Sequence, residues 1–245
     1  MSASFSASQL LGIWETGLTL TPLRRALLLA SLLTDEVDAR AVSSLPVGER
    51  DAQILKVRQK LFGDAMSCLI RCPDCDQSIE FVLRGSDFLS TSRSERPEEI
   101  AITMDGYEMT VRVPTSADLL EVAAAGDLDA ARKHVLRRCV ITAKREHTEL
   151  PASEFPEAVT QRIVEAMEEY DPLAALEIAV SCPYCSRRWN VPFDIGVFLW
   201  AEIQAWSKRL LLDVHTLAAA YGWHEADILN LSLSRRQHYL QLVMG

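Results

Sequence analysis

Apolar positions along this chain change their spacing several times, and each change marks an element. From Leu10 to Leu33 they recur at helical intervals, interrupted by Pro22. Thr21-Pro22 is a helix start, because proline lacks only an N–H that the first turn leaves unpaired. Two helices are predicted here, the second over 22–33, behind a loose Ser/Ala-rich start at 1–12. Leu45-Pro46-Val47-Gly48 reads as a turn. A third helix follows over 49–62, with Ile54, Leu55, Val57 and Leu61 on one stripe and Gly63 as its stop.

The period then drops to two. Met66, Cys68 and Ile70 alternate with Ser67, Leu69 and Arg71, and Ile79, Phe81 and Leu83 alternate after Cys72-Pro73-Asp74-Cys75. This predicts a hairpin with two cysteines at its tip. Leu176, Ile178 and Val180 lead in the same way into Cys182-Pro183-Tyr184-Cys185, and Trp189, Val191 and Phe193 lead out. The outgoing apolar positions sit four, six and eight residues after the second cysteine in both hairpins, a short internal repeat.

Between the copies, 84–98 reads as a polar surface loop. Ile100 to Val113 reads as a further hairpin turning at Asp105-Gly106, the strongest local turn signal. Helices are predicted over 115–125, capped by Thr115 or Ser116, over 127–144 and over 156–170. After 195 the pattern is helical throughout. One helix carries Phe198, Leu199, Ile203, Trp206 and Leu210, another ends at Tyr221-Gly222, and two short ones follow.

Chemistry enters through the cysteines. The chain has 245 residues and six cysteines, four of them in the two C-x-x-C turns. A structural zinc needs four ligands in a tetrahedron, and each C-x-x-C turn supplies one edge of it. Cys72, Cys75, Cys182 and Cys185 are therefore the predicted ligands of one Zn2+, with iron an alternative on the same ligand set. The 106 residues between Cys75 and Cys182 do not forbid this, because loop-closure cost grows only logarithmically with length. A thioredoxin-like role is disfavoured, since strands rather than a helix follow both motifs. Cys68 and Cys139 read as small core residues. The five histidines, His134, His147, His215, His224 and His238, show no ligand spacing, although His215 and His224 flank one turn.

These elements give an α+β fold, mainly helical, with two short β-hairpins forming a split zinc ribbon and an additional inserted hairpin. The expected organisation is N-terminal helices at 1–64, the split ribbon at 65–84 and 176–194, an insertion at 85–175, and a C-terminal helical region at 195–245. No apolar run is long enough to span a membrane, and no secretory signal is recognisable, so the chain is expected to be cytoplasmic when made. The net charge of −9 disfavours nucleic acid. A basic stretch from Arg132 to Arg145 is balanced by the acidic helix after it. Nucleotide-binding and hydrolase motifs are absent.

Four blocks carry a resemblance. They are Leu11-Gly12-Ile13-Trp14-Glu15 with Leu23-Arg24-Arg25-Ala26-Leu27; Leu45-Pro46-Val47-Gly48-Glu49-Arg50-Asp51 with Phe62-Gly63-Asp64; the two Cys-Pro-x-Cys turns; and Tyr221-Gly222-Trp223-His224-Glu225-Ala226-Asp227-Ile228-Leu229 with Ser234-Arg235-Arg236-Gln237-His238-Tyr239-Leu240. The chain resembles the small baseplate-type proteins of contractile-tailed phages and phage-derived contractile injection systems. That resemblance spans nearly the whole chain. It implies no catalysis, a part in building a baseplate or its hub, other baseplate or tail-hub proteins as partners, incorporation into a phage-tail-like particle, and the four cysteines as metal ligands. Trp200, Trp206 and Trp223 are candidate anchors for partners. The alternatives are a zinc-ribbon nucleic-acid binder or regulator, and an assembly chaperone absent from the finished particle.

Overall fold

The computed structural model describes residues 5–33, 39–90, 99–146 and 148–244. The chain divides into two compact units, one of residues 26–195 and one of 1–25 with 196–245. The architecture is the expected one: mainly helical, with short antiparallel hairpins.

The larger unit opens with the end of helix α2 (Pro22–Ala30), a 3-10 turn at Ser31–Leu33 and α3 (Ala39–Ser44). Helix α4 (Val47–Phe62) begins two residues before the predicted start, because Pro46 takes the N-cap position rather than a turn. Its Ile54, Leu55 and Val57 are buried as the stripe requires. Gly63 ends it with φ 85°, a conformation that favours glycine.

Hairpin β1 (Ala65–Arg71) with β2 (Ser78–Arg84) follows, then α5 (Gly85–Leu89). Residues 85–89 were expected to be loop. They turn helical where Asp64 accepts from the Ser86 amide and hydroxyl, both at 2.8 Å. The rest of that predicted loop, 91–98, lies outside the described residues.

A four-stranded sheet forms the insertion, in the order β3 (Ile100–Met104), β4 (Tyr107–Val111), β5 (Val140–Arg145), β6 (Thr148–Glu149). Helices α6 (Ser116–Val122), α7 (Leu128–Cys139) and α8 (Glu157–Tyr170) belong to the same unit. Ile102, Met109, Val111, Ala143, Ile163, Ala166 and Cys139 share one buried core. The expected helix over 127–144 is therefore wrong in its last third. After Cys139 the chain leaves the helix and pairs with β4, and the branched residues Val140, Ile141 and Thr142 suit a strand.

Asp118 organises the start of α6. Its carboxylate accepts from Arg112 at 2.6 and 2.9 Å, from Arg138 at 2.7 Å, and from the Thr115 amide and hydroxyl at 2.9 Å each. Burial alone would raise its pKa, but these donors hold it well below the usual carboxylate range. A second buried carboxylate, Asp171, accepts from the Gly48 amide at 2.8 Å and so meets the N-terminus of α4. Hairpin β7 (Glu177–Ser181) with β8 (Arg188–Pro192) closes the unit.

In the smaller unit, α1 (Ala7–Leu18) has a complete capping box, Ser6 with Gln9, so the start of the chain is ordered from there rather than loose to residue 12. Helix α9 (Ile195–Tyr221) is one helix of 27 residues where two were expected. Neither glycine nor proline occurs from 197 to 221 to break it. Trp200 packs its ring on Gly17, and Arg25 stacks 4.7 Å above that ring while donating to the Gly17 carbonyl at 2.7 Å. Trp200 is 7% exposed, so it is a core residue and not a free anchor. Helices α10 (Glu225–Leu229) and α11 (Leu233–Met244) fold back on α9, burying Ile228 and Leu240 with Val214 and Leu217. Trp223 stacks on Tyr221 at 4.7 Å and meets Tyr239 edge-on at 4.9 Å, so the Tyr221–Leu229 block packs on its own core.

Candidate metal centre

Each cysteine turn is built by the same two backbone bonds. In the first, the Cys72 amide donates to Gln77 at 3.0 Å and the Asp76 amide donates to Cys72 at 3.0 Å. In the second, the Cys182 amide donates to Arg187 at 2.8 Å and the Ser186 amide donates to Cys182 at 3.0 Å. Asp76 and Ser186 both adopt positive φ, 55° and 62°. The two turns are thus conformational copies, as the repeat in the sequence predicts.

The copies meet tip to tip. The four Sγ atoms of Cys72, Cys75, Cys182 and Cys185 all lie within 4.8 Å of one another. The closest pairs cross between hairpins, Cys72 to Cys185 and Cys75 to Cys182, at 3.6 Å each. A disulfide would need about 2.05 Å, so these are separate thiols. A tetrahedron with thiolates about 2.3 Å from its centre has edges of about 3.8 Å. The cross-hairpin spacings match that figure, and four soft sulfur donors match a zinc or iron preference.

Around the tips the environment is half apolar. Cys72 and Cys182 are buried with Ile79, flanked by Ile70, Phe81 and Trp189. Cys75 is half-buried and Cys185 exposed. Arg187 lies 3.8 Å from Asp74, a charge contact from one turn to the other. At the opposite end of the hairpins, the Phe88 and Phe193 rings stack at 6.0 Å, a second tie between them. Neither tie is legible in the sequence, since each joins residues about a hundred positions apart that share no local pattern.

The thiols are electrically unequal. Burial raises Cys182, but the Cys185 and Tyr184 amides and the neighbouring thiols outweigh it and bring Cys182 down to about 7. At Cys75 the Gln77 amide is the largest single influence and pulls downward, yet burial and the three other thiols together push it up to about 12. Backbone amides thus bond to sulfurs in both turns, the kind of support that tunes a ligand.

The other candidates are not brought together. Cys139 is fully buried, and burial raises its thiol to about 11, as suits a core residue. Cys68 is half-buried on β1. His134 pairs with Glu121 at 3.3 Å. His147 lies outside the described residues. Among the described residues, no second cluster of three or more metal-ligating side chains forms.

Two copied hairpins that close a four-thiol cluster, set in a mainly helical chain, define a split four-cysteine knuckle protein. The family of T4 bacteriophage base plate proteins matches residues 22–200, and the chain belongs to that family. No curated protein and no solved structure matches it. Among the described residues, no helix is long and apolar enough to cross a membrane.

Proposed function

We propose that this chain is a non-catalytic structural or assembly component of a phage-like contractile baseplate, and that Cys72, Cys75, Cys182 and Cys185 hold one structural zinc ion. The family supports the baseplate role. The observation that supports the metal is the cross-hairpin sulfur spacing of 3.6 Å in a cluster with no disulfide. When bound, the ion supplies a covalent-strength staple and nothing more, because four thiolates leave no position for water or substrate.

The chain's own residues define what is stapled. The cysteines join two turns 107 positions apart, which closes the insertion with its sheet and four α-helices into one loop. Closing a loop of that length removes about 4.7 kcal/mol of chain entropy from the unfolded state, if a metal clip acts as a cross-link does. The role needs such rigidity, since a baseplate part presents fixed surfaces to neighbouring subunits. Its partners are other baseplate or tail-hub proteins.

The test is mass spectrometry of purified tail particles together with metal analysis of the free chain. Retention at fixed stoichiometry, with one zinc per chain purified without added metal, supports the reading. Absence from finished particles replaces the structural part with an assembly chaperone. A metal-free chain that is fully folded removes the staple, and iron in the site replaces zinc.

A further inference from the structure

Strand β3 ends the four-stranded sheet, so among the described residues only one of its sides is paired. The two-residue turn Asp105-Gly106 decides which groups are left over. It makes Met104 and Tyr107 a hydrogen-bonded pair, and alternation then gives the bonded positions to Ile102 and Ile100. The N–H and C=O groups of Ala101 and Thr103 consequently point away from β4. Both residues are exposed. The strand reads Ile-Ala-Ile-Thr-Met, with no proline and no charge to protect the edge.

A cleft of about 340 Å³ runs beside this edge, lined by residues 100–103 and by one face of α8. Consecutive strand residues point to opposite faces, so a cleft touching all four lies along the strand's rim. The α8 face carries Arg162 at one end, Glu169 two turns on, and Ala166 between them. Ala166 is only 5% exposed, and Arg162 reaches Glu169 at 3.5 Å within the chain.

We propose that a second copy of this chain docks here, β3 pairing antiparallel with the partner's β3 about a two-fold axis at Ile102. Ala101 then exchanges both backbone bonds with the partner's Thr103, and Thr103 with the partner's Ala101. A two-fold interface requires a surface complementary to itself. The strand meets that requirement, because its open groups are symmetric about Ile102. The helix face meets it too. The same axis sets Arg162 opposite the partner's Glu169 and the reverse.

The test is sedimentation equilibrium of the full chain across the micromolar range. Ala101→Pro deletes an N–H that points away from β4, so the β3–β4 ladder survives, which circular dichroism checks. The expected result is a dimer whose affinity falls by about tenfold or more in this variant. Arg162→Glu and Glu169→Arg each weaken the dimer alone, and mixing the two variants restores a heterodimer. Loss of the intrachain Arg162–Glu169 pair cannot produce that rescue. A chain that stays monomeric overturns the proposal, as does a dimer indifferent to Ala101→Pro or a mixture that fails to associate. Strand addition by a different protein, with the free chain monomeric, counts against it as well.

Discussion

The sulfurs of Cys72 and Cys185, 113 positions apart, lie 3.6 Å from each other, close to the edge of about 3.8 Å that a four-thiolate tetrahedron has. The first cysteine of each turn meets the second cysteine of the other, and Cys75 with Cys182 repeats the relation. This exchange makes the two hairpins one object.

Stability is expected to follow the metal. Cys182→Ser removes one of the four proposed ligands, and a structural zinc site contributes folding free energy of order 10 kcal/mol in small domains. The variant is expected to bind less than one metal per chain and to melt at least about 10 °C lower. Calorimetry with and without chelator checks this: equal melting temperatures for wild type, chelated wild type and variant would remove the staple.

Asp118 is expected to be the most sensitive position outside the centre. Asp118→Ala removes the acceptor half of the Thr115 capping box of α6 and strips Arg112 and Arg138 of their shared acceptor. The expected loss is about 2–4 kcal/mol in urea denaturation at pH 7. Its folded pKa is depressed, so its contribution is present above pH about 4 and is lost on further acidification. A loss under about 0.5 kcal/mol would mean that the arginines are satisfied by water.

Asp51 works in the opposite direction. Burial raises its pKa to about 6, against the pull of Arg50, whose side chain lies 2.7 Å away. Between pH about 4 and 6 the folded chain keeps a proton there that the unfolded chain has lost. Unfolding releases that proton, so stability falls as pH rises through this window. Asp51→Asn is expected to flatten that part of the stability–pH curve. Parallel curves for the two proteins from pH 4 to 7 would refute the assignment.

Two glycines of one helix are expected to respond with opposite signs. A side chain at Gly17 would run into the Trp200 ring, so Gly17→Ala costs about 1–3 kcal/mol through overpacking. Gly12 has open space around its missing side chain, so Gly12→Ala stabilises α1 by about 0.5–1 kcal/mol. Urea midpoints measure both, and two changes of the same sign would contradict the packing described.

The strand of Val140–Arg145 shows where the sequence stopped being readable. Cys139 and Val140 continue the apolar spacing of α7, so a local reading extends the helix. The chain leaves it because β4 supplies a pairing partner some thirty residues away in sequence, and no local pattern reports that partner. In α9 the reverse holds: the spacing predicts two helices, but no glycine or proline falls between 197 and 221, and one helix runs through. The polar composition of 84–98 predicts a loop throughout, and Asp64, on the other strand's side of the hairpin, bonds Ser86 where β2 gives way to α5.

By itself the sequence determined the local chemistry: which sulfurs sit on turns, that the turns repeat, that a helix is capped at Thr115 or Ser116, and how Asp105-Gly106 sets a register. Those properties depend on neighbours within a few residues, and spacing records them. Only the tertiary structure decided that the tips meet, that Phe88 stacks on Phe193, that Asp118 gathers two arginines, and that, among the described residues, one edge of β3 stays open. Each of those joins distant segments whose approach depends on how the whole intervening chain folds, and that information is spread over packing rather than written in any one stretch.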